Sequence, residues 1–166
     1  MKKWVVRGAL LAALILAGIW GWRILFPGPE QVIRKQLNEL AKLASFSGNE
    51  GPLAKLSNAQ KLTTFCTSDV EITVEGPGRS QPTLSGREEL LRTAAGIRSY
   101  VGSLKVEFLD TTVTVVPGQP IAFANLTLKV NASGDKDFLV QEVKFTFKKI
   151  DGDWLISRAE TVKTLR

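Results

Sequence analysis

The chain contains no histidine, one cysteine, one tyrosine and one methionine in 166 residues. Each shortage removes a class of chemistry. Without histidine there is no Ser-His-Asp or Cys-His nucleophilic relay, and no imidazole ligand for zinc or iron. With Cys66 alone, no intrachain disulfide forms and a thiolate zinc site is impossible. No spacing of residues implies a metal or a cofactor. Gly76-Pro77-Gly78 lacks the spacing and the lysine of a phosphate loop. Acids are missing from residues 1–26, whose only charged side chains are Lys2, Lys3, Arg7 and Arg23. The formal net charge is +6, and setting those four aside leaves 18 basic against 16 acidic residues, or +2. Charges of both signs are interspersed after residue 26, so the sequence carries no electrostatic footprint for nucleic acid.

What is present begins with a hydrophobic start. Residues 4–26 read WVVRGALLAALILAGIWGWRILF, with an uninterrupted apolar stretch of 15 residues from 8 to 22. Alone that is short for a membrane span of about 20 residues. The flanking apolar positions complete it, with Arg7 and Arg23 near the ends where long cations reach the headgroups. Trp4, Trp20 and Trp22 suit the interfacial aromatic belt, and Pro27, Gly28 and Pro29 break the helix. A cleaved signal peptide competes with this reading, since a basic start and a short apolar core suit both. Bulky Ile19, Trp20 and Trp22 stand where small cleavage-site residues are needed, which favours an uncleaved anchor. No cysteine follows the apolar core, which excludes a lipoprotein. Lys2, Lys3 and Arg7 precede the segment, so the positive-inside rule puts the N-terminus in the cytoplasm. The expected organisation is a single-pass anchor over 1–28 in a bacterial inner membrane and one periplasmic domain over 29–166.

That domain reads as α+β, with helices segregated from a mostly antiparallel sheet. Ile33, Leu37, Leu40 and Ala44 recur at helical spacing after Pro29 and Glu30. A second helix is expected over 53–66, with Cys66 at its end as a small buried residue. Residues 69–75 alternate as a half-buried strand, and 76–82 form a Gly/Pro-rich loop. Ser85 and Glu88 have the spacing of a capping box for a third helix carrying Leu90, Leu91, Ala94, Ala95 and Ile97. Strands are then expected over 104–116, 121–131, 138–150 and 154–162. The first is long enough to bend or bulge near Asp110. Turns are expected at Pro117-Gly118-Gln119-Pro120, at Gly134 and at the tight Asp151-Gly152 hairpin. Trp154 is expected in the core.

Three stretches resemble the NTF2-like superfamily, which includes the SnoaL-like domains. One is the helix ending just before Ser68-Asp69-Val70. The second is Leu84-Ser85-Gly86-Arg87-Glu88-Glu89-Leu90, similar to the start of that fold's third helix. The third is the terminal hairpin from Phe145 through Asp151-Gly152-Asp153-Trp154 to Ile156. With its Glu160-to-Leu165 tail the chain looks like bacterial, membrane-anchored members known only at family level. The resemblance covers roughly 29–165. It implies a cone: a curled sheet around three helices, with a pocket at the open end. It implies no function, because this fold hosts isomerases, dehydratases, cyclases, hydrolases and partner-binding proteins.

Five residues are candidates for that pocket. Enzymatic relatives typically use a pocket Asp, often with His or Tyr, and Tyr100 is the only tyrosine here. Asp110 is a carboxylate in mid-strand, readable as a pocket base or as a solvent-facing bulge. Glu142 shares a strand face with Lys144 and Thr146. Arg158 and Glu160 are in phase with Trp154 and Ile156, so an Arg partner would keep a cone carboxylate ionised. Cross-strand surface ion pairing is the competing reading for these charges. Asn125-Leu126-Thr127 and Asn131-Ala132-Ser133 match glycosylation sequons, taken as chance in a bacterial setting. The expected function is binding of a small apolar ligand, or partner binding and homodimer assembly through the sheet face. The alternative is a cofactor-independent isomerase or cyclase using a pocket Asp or Glu.

Overall fold

The computed structural model describes residues 27–74, 83–133 and 138–162. The expected membrane segment, the loop at 76–82 and the turn at Gly134 lie outside them. Among the described residues no helix is long and apolar enough to cross a membrane.

Three helices pack on one curved sheet of six strands, the α+β arrangement expected from the sequence. Helix α1 (Pro29–Ala44) has proline in its first turn and buries Ile33 and Leu37, one turn apart. The Ser45 hydroxyl fastens its C-terminal end to the sheet. It donates to the Ala41 carbonyl (2.8 Å) and accepts the Val106 N–H (2.9 Å). Helix α2 (Pro52–Thr64) is followed at once by β1 (Cys66–Thr73) and, after the loop, by the short β2 (Thr83–Ser85). Helix α3 (Arg87–Tyr100) precedes four long strands: β3 (Leu104–Val115), β4 (Ile121–Ala132), β5 (Leu139–Ile150) and β6 (Asp153–Thr161).

The sheet order is β2-β1-β6-β5-β4-β3. The consecutive strands β3 to β6 form an antiparallel meander, and β1 joins its far side by pairing parallel to β6. The β5–β6 turn is the expected two-residue hairpin. Asp151 and Gly152 both take positive φ (52° and 96°), which suits Asp-Gly in a turn matched to strand twist. One sheet face is apolar: Ala122, Ala124, Leu126, Val143, Phe145 and Phe147 are buried on it against α1. Removing a side chain such as Phe147 or Ile33 from water contributes roughly 1.5–3 kcal/mol. Trp154 is buried, as expected.

Two bulges set which residues reach that face. In β3, Leu109 opposes Thr127 and Thr112 opposes Asn125, so Asp110 and Thr111 stand against Leu126 alone. The strand is bulged where the sequence suggested, with Asp110 at φ 50°. In β6, Phe147 opposes Ile156 while Thr146 opposes Arg158, leaving Ser157 as the extra residue.

Three sequence expectations are corrected. Cys66 opens β1 instead of closing α2: the helix ends at Thr64, the Ile156 N–H donates to the Phe65 carbonyl (2.8 Å), and Cys66 stands opposite Ile156 in the parallel register. The third helix is capped by Gly86, at φ 83°, and not by a Ser85–Glu88 box. The carboxylate of Glu89 reaches back to the Ser85 N–H instead (2.8 Å), and the Gly86 N–H goes to the Val70 carbonyl. The β6 bulge reverses the phase read for Arg158 and Glu160: beyond Ser157 it is Ala159 that is buried with Trp154 and Ile156.

Candidate functional site

Between the helices and the apolar sheet face lies a cavity of about 370 Å³. Buried Cys66 and Ile156 line its inner end. Leu40 and Ala44 of α1, Leu62 of α2 and Leu90 of α3 close one side. Val106, Phe108, Leu128, Val143 and Phe145 form the sheet side. The cavity opens where Val74 and Ile97, both in its wall, are 45% and 42% exposed. That is the end of the sheet where β1 and β6 finish and β3 and β5 begin. No nitrogen or oxygen of the described residues presents accessible surface to it. Thr73, Glu160 and Thr161 belong to the wall through carbon atoms alone.

Of the five candidate residues only Glu160 belongs to the cavity wall; Tyr100, Asp110, Glu142 and Arg158 sit elsewhere on the domain. Tyr100 is the last residue of α3 and is 93% exposed. It is not in the wall, whereas Ile97 one turn earlier is. Asp110 and Glu142 are brought together in a shallow depression of about 330 Å³ with Asn125 and Thr127. Leu126, Val143 and Val162 line it too, and Glu142 stands opposite Thr127 in the register. Arg158 pairs with Glu71 at 2.5 Å across the parallel β1–β6 edge, with both side chains about half exposed. Glu160 stands opposite Lys144 and makes an ion pair with it at 3.8 Å, on the outer face. Lys105 lies 2.9 Å from Glu107, and its hydrogen bond and charge hold that carboxyl below the usual range.

The sequence reading missed the most buried charge among the described residues. Arg98 is 2% exposed and sits one residue beyond Ile97 on α3. Its guanidinium meets the Glu50 carboxylate at 2.6 Å, donates to the Leu43 carbonyl, and lies 4.8 Å from the centre of the Phe46 ring. It thereby ties the end of α1 and the α1–α2 loop to α3 beside the cavity mouth. A signal was available: Arg98 follows Leu91, Ala94 and Ala95 at helical spacing, so it falls on the apolar stripe.

Burial pushes the Cys66 thiol up to about 11, against the opposing pull of the Arg87 charge. Arg87 donates through Nε to the Cys66 carbonyl at 2.8 Å, with a second donation from Nη2. This thiol is therefore protonated at neutral pH and behaves as part of an apolar wall.

Fold and cavity together define an α+β domain with an apolar cavity between its helices and its sheet. Three solved structures share this architecture. An NTF2-like protein of unknown function from Pseudomonas putida KT2440 superposes with TM-score 0.63 at 11% identity, over 82% of this chain and 87% of that one. An NTF2-like protein with a cystatin-like fold from Novosphingobium aromaticivorans gives 0.59 at 21% identity, over 92% and 86%. A candidate scytalone dehydratase from the same species gives 0.58 at 14% identity, over 81% and 83%. The chain has the NTF2-like fold. No protein-family model and no curated protein matches the sequence.

Proposed function

We propose that this domain binds a small apolar molecule in its cone without transforming it. In this reading the N-terminal segment tethers it to the inner membrane with the cone on the periplasmic side, as the charge distribution around residues 4–26 suggests. The carrying observation is the cavity of about 370 Å³ whose wall, among the described residues, presents no accessible nitrogen or oxygen. Such a space lies in the size range of ligand pockets and favours solutes that carry little to hydrogen-bond. The isomerase or cyclase alternative needs an Asp or Glu aimed into the cone. The two carboxylates that share a depression, Asp110 and Glu142, do not line this cavity.

Native mass spectrometry of the full-length protein extracted from membranes tests the reading. The expected result is a noncovalently held small molecule that Ala159→Phe, which fills the cavity from β6, no longer retains. An equal load on the filled variant, with its circular dichroism unchanged, would sink the proposal.

A further inference from the structure

The three helices are not held to the domain equally. Helix α1 buries Ile33 and Leu37 and is fastened to the sheet by Ser45. Helix α3 buries Arg98 among its partners. Helix α2 buries Ala59 alone, whose single methyl group gives little hold. Its first two leucines face solvent, Leu53 at 85% exposure and Leu56 at 47%. No side chain caps its start. A segment with so few buried apolar contacts belongs to the low end of the local stability range. Yet α2 is part of the cavity wall through Leu62.

What holds α2 is polar and local. Among the described residues one of its side chains bonds outside the helix: Asn58 Nδ2 donates to Glu50 Oε1 at 3.1 Å. The other oxygen of Glu50 takes the Arg98 guanidinium at 2.6 Å. Arg98 is fixed in turn by the Leu43 carbonyl and the Phe46 ring. One carboxylate oxygen thus serves α2 and the other α3. Residues beside this relay line the cavity: Ala44 follows Leu43, and Ile97 precedes Arg98.

The loop before Glu50 is closely packed. Phe46 bridges to Leu104, and a Cβ on Gly48 would lie 3.0 Å from the Gly102 carbonyl oxygen. Gly51, directly before α2, differs: a Cβ there would meet nothing within 4 Å. Beyond the helix the Ile156 N–H holds the Phe65 carbonyl to β6. Fixed points therefore stand on both sides of α2, with open space around Gly51.

We infer that α2 is a movable wall of the cavity, with Glu50 as its latch and Gly51 as its pivot. While Asn58 and Arg98 share the Glu50 carboxylate, Leu62 stays in the wall. Losing the latch frees α2 to swing out and takes Leu62 with it, which opens the cavity from the helix side. The motion is independent of what the cavity holds. Its use as a passage rests on the apolar-ligand reading above.

Hydrogen exchange of the full-length protein in lipid nanodiscs, read by mass spectrometry, tests the motion. Amides of α2 should exchange about tenfold or more faster than those of α1 and α3. Asn58→Ala removes one latch bond, keeps Arg98 paired and puts a strong helix former in its place. It should speed α2 by about threefold to tenfold more and leave α1 and α3 within about twofold. Glu50→Gln weakens both bonds and should speed α2 further still. Exchange of α2 in step with α1 and α3, in the natural chain and in Asn58→Ala, overturns the movable wall. Faster exchange in α2 that Asn58→Ala leaves unchanged overturns the latch. Passage is read by native mass spectrometry, as loss of the bound solute with time after transfer to solute-free buffer. The loss should quicken in Asn58→Ala by about the same factor as α2 exchange. An unchanged loss overturns the passage. A chain that carries no solute overturns the apolar-ligand reading and the passage with it, and leaves the movable wall standing.

Discussion

The two faces of the sheet are built from the same strands and solve opposite problems. On the inner face Ala122, Ala124, Val143, Phe145 and Phe147 exclude water, and Phe108 and Phe145 meet with ring centres 5.9 Å apart. On the outer face the same strands alternate charge: Glu107 with Lys105 and Lys129, Glu160 with Lys144, and Arg158 with Glu71. Lys144 also lies 5.1 Å from the centre of the Phe123 ring, shielding an outward aromatic. The comparison separates two roles. Stability belongs to the inner face and surface charge to the outer one, where exposed ion pairs contribute little to folding.

The comparison is most severely tested by Phe147→Ala. Phe147 is 1% exposed, and its truncation should cost about 3–5 kcal/mol, read as a lower denaturant midpoint. An intermediate effect comes from pH. The buried Cys66 thiol keeps its proton until about 11, whereas the unfolded thiol loses it near its ordinary value of 9.0. Between those values the unfolded state binds fewer protons, so stability falls as pH rises. It is fully present below 9.0 and declines by about 2–3 kcal/mol on reaching about 11. Denaturation midpoints across that window should show the decline in the natural chain and lose it in Cys66→Ala. The smallest effect belongs to the outer face. Arg158→Gln should change stability by less than about 1 kcal/mol, and raised salt should remove the difference. A larger loss there would show that the parallel β1–β6 edge depends on its ion pair.

The bulged strands show where the sequence could be read and where it could not. In β3 the apolar parity changes visibly, from Leu104, Val106 and Phe108 to Val113 and Val115. An extra residue between them is the simplest repair, and Asp110 tolerates the left-handed turn it needs. In β6 the same parity change is announced only by Ala159, too small to outweigh the alternation begun by Trp154 and Ile156. The phase shared with Trp154 and Ile156 misleads for Arg158 and Glu160 for that reason, and the competing reading of cross-strand surface ion pairs is the one the structure bears out. Long amphipathic segments and the Asp-Gly hairpin were legible because their period or turn chemistry is local. The cavity was expected through the family resemblance alone, since its wall draws on three helices and five strands whose spacing no local pattern records. Arg98 was hidden for a related reason: its partner Glu50 lies 48 residues earlier, in a loop.

The parallel edge between β1 and β6 also fixes an order of assembly. Glu71 and Arg158 are 87 residues apart in the chain, and β1 gains its long neighbour only once β6 exists. At about 5–20 residues per second of synthesis, that interval is about 4–17 s. Through it the only strand paired with β1 among the described residues is the three-residue β2. An unpaired strand edge is a template for association with other chains. The last strand is thus the keystone of the sheet, and a nascent chain stalled before it exposes its first strand for the whole pause.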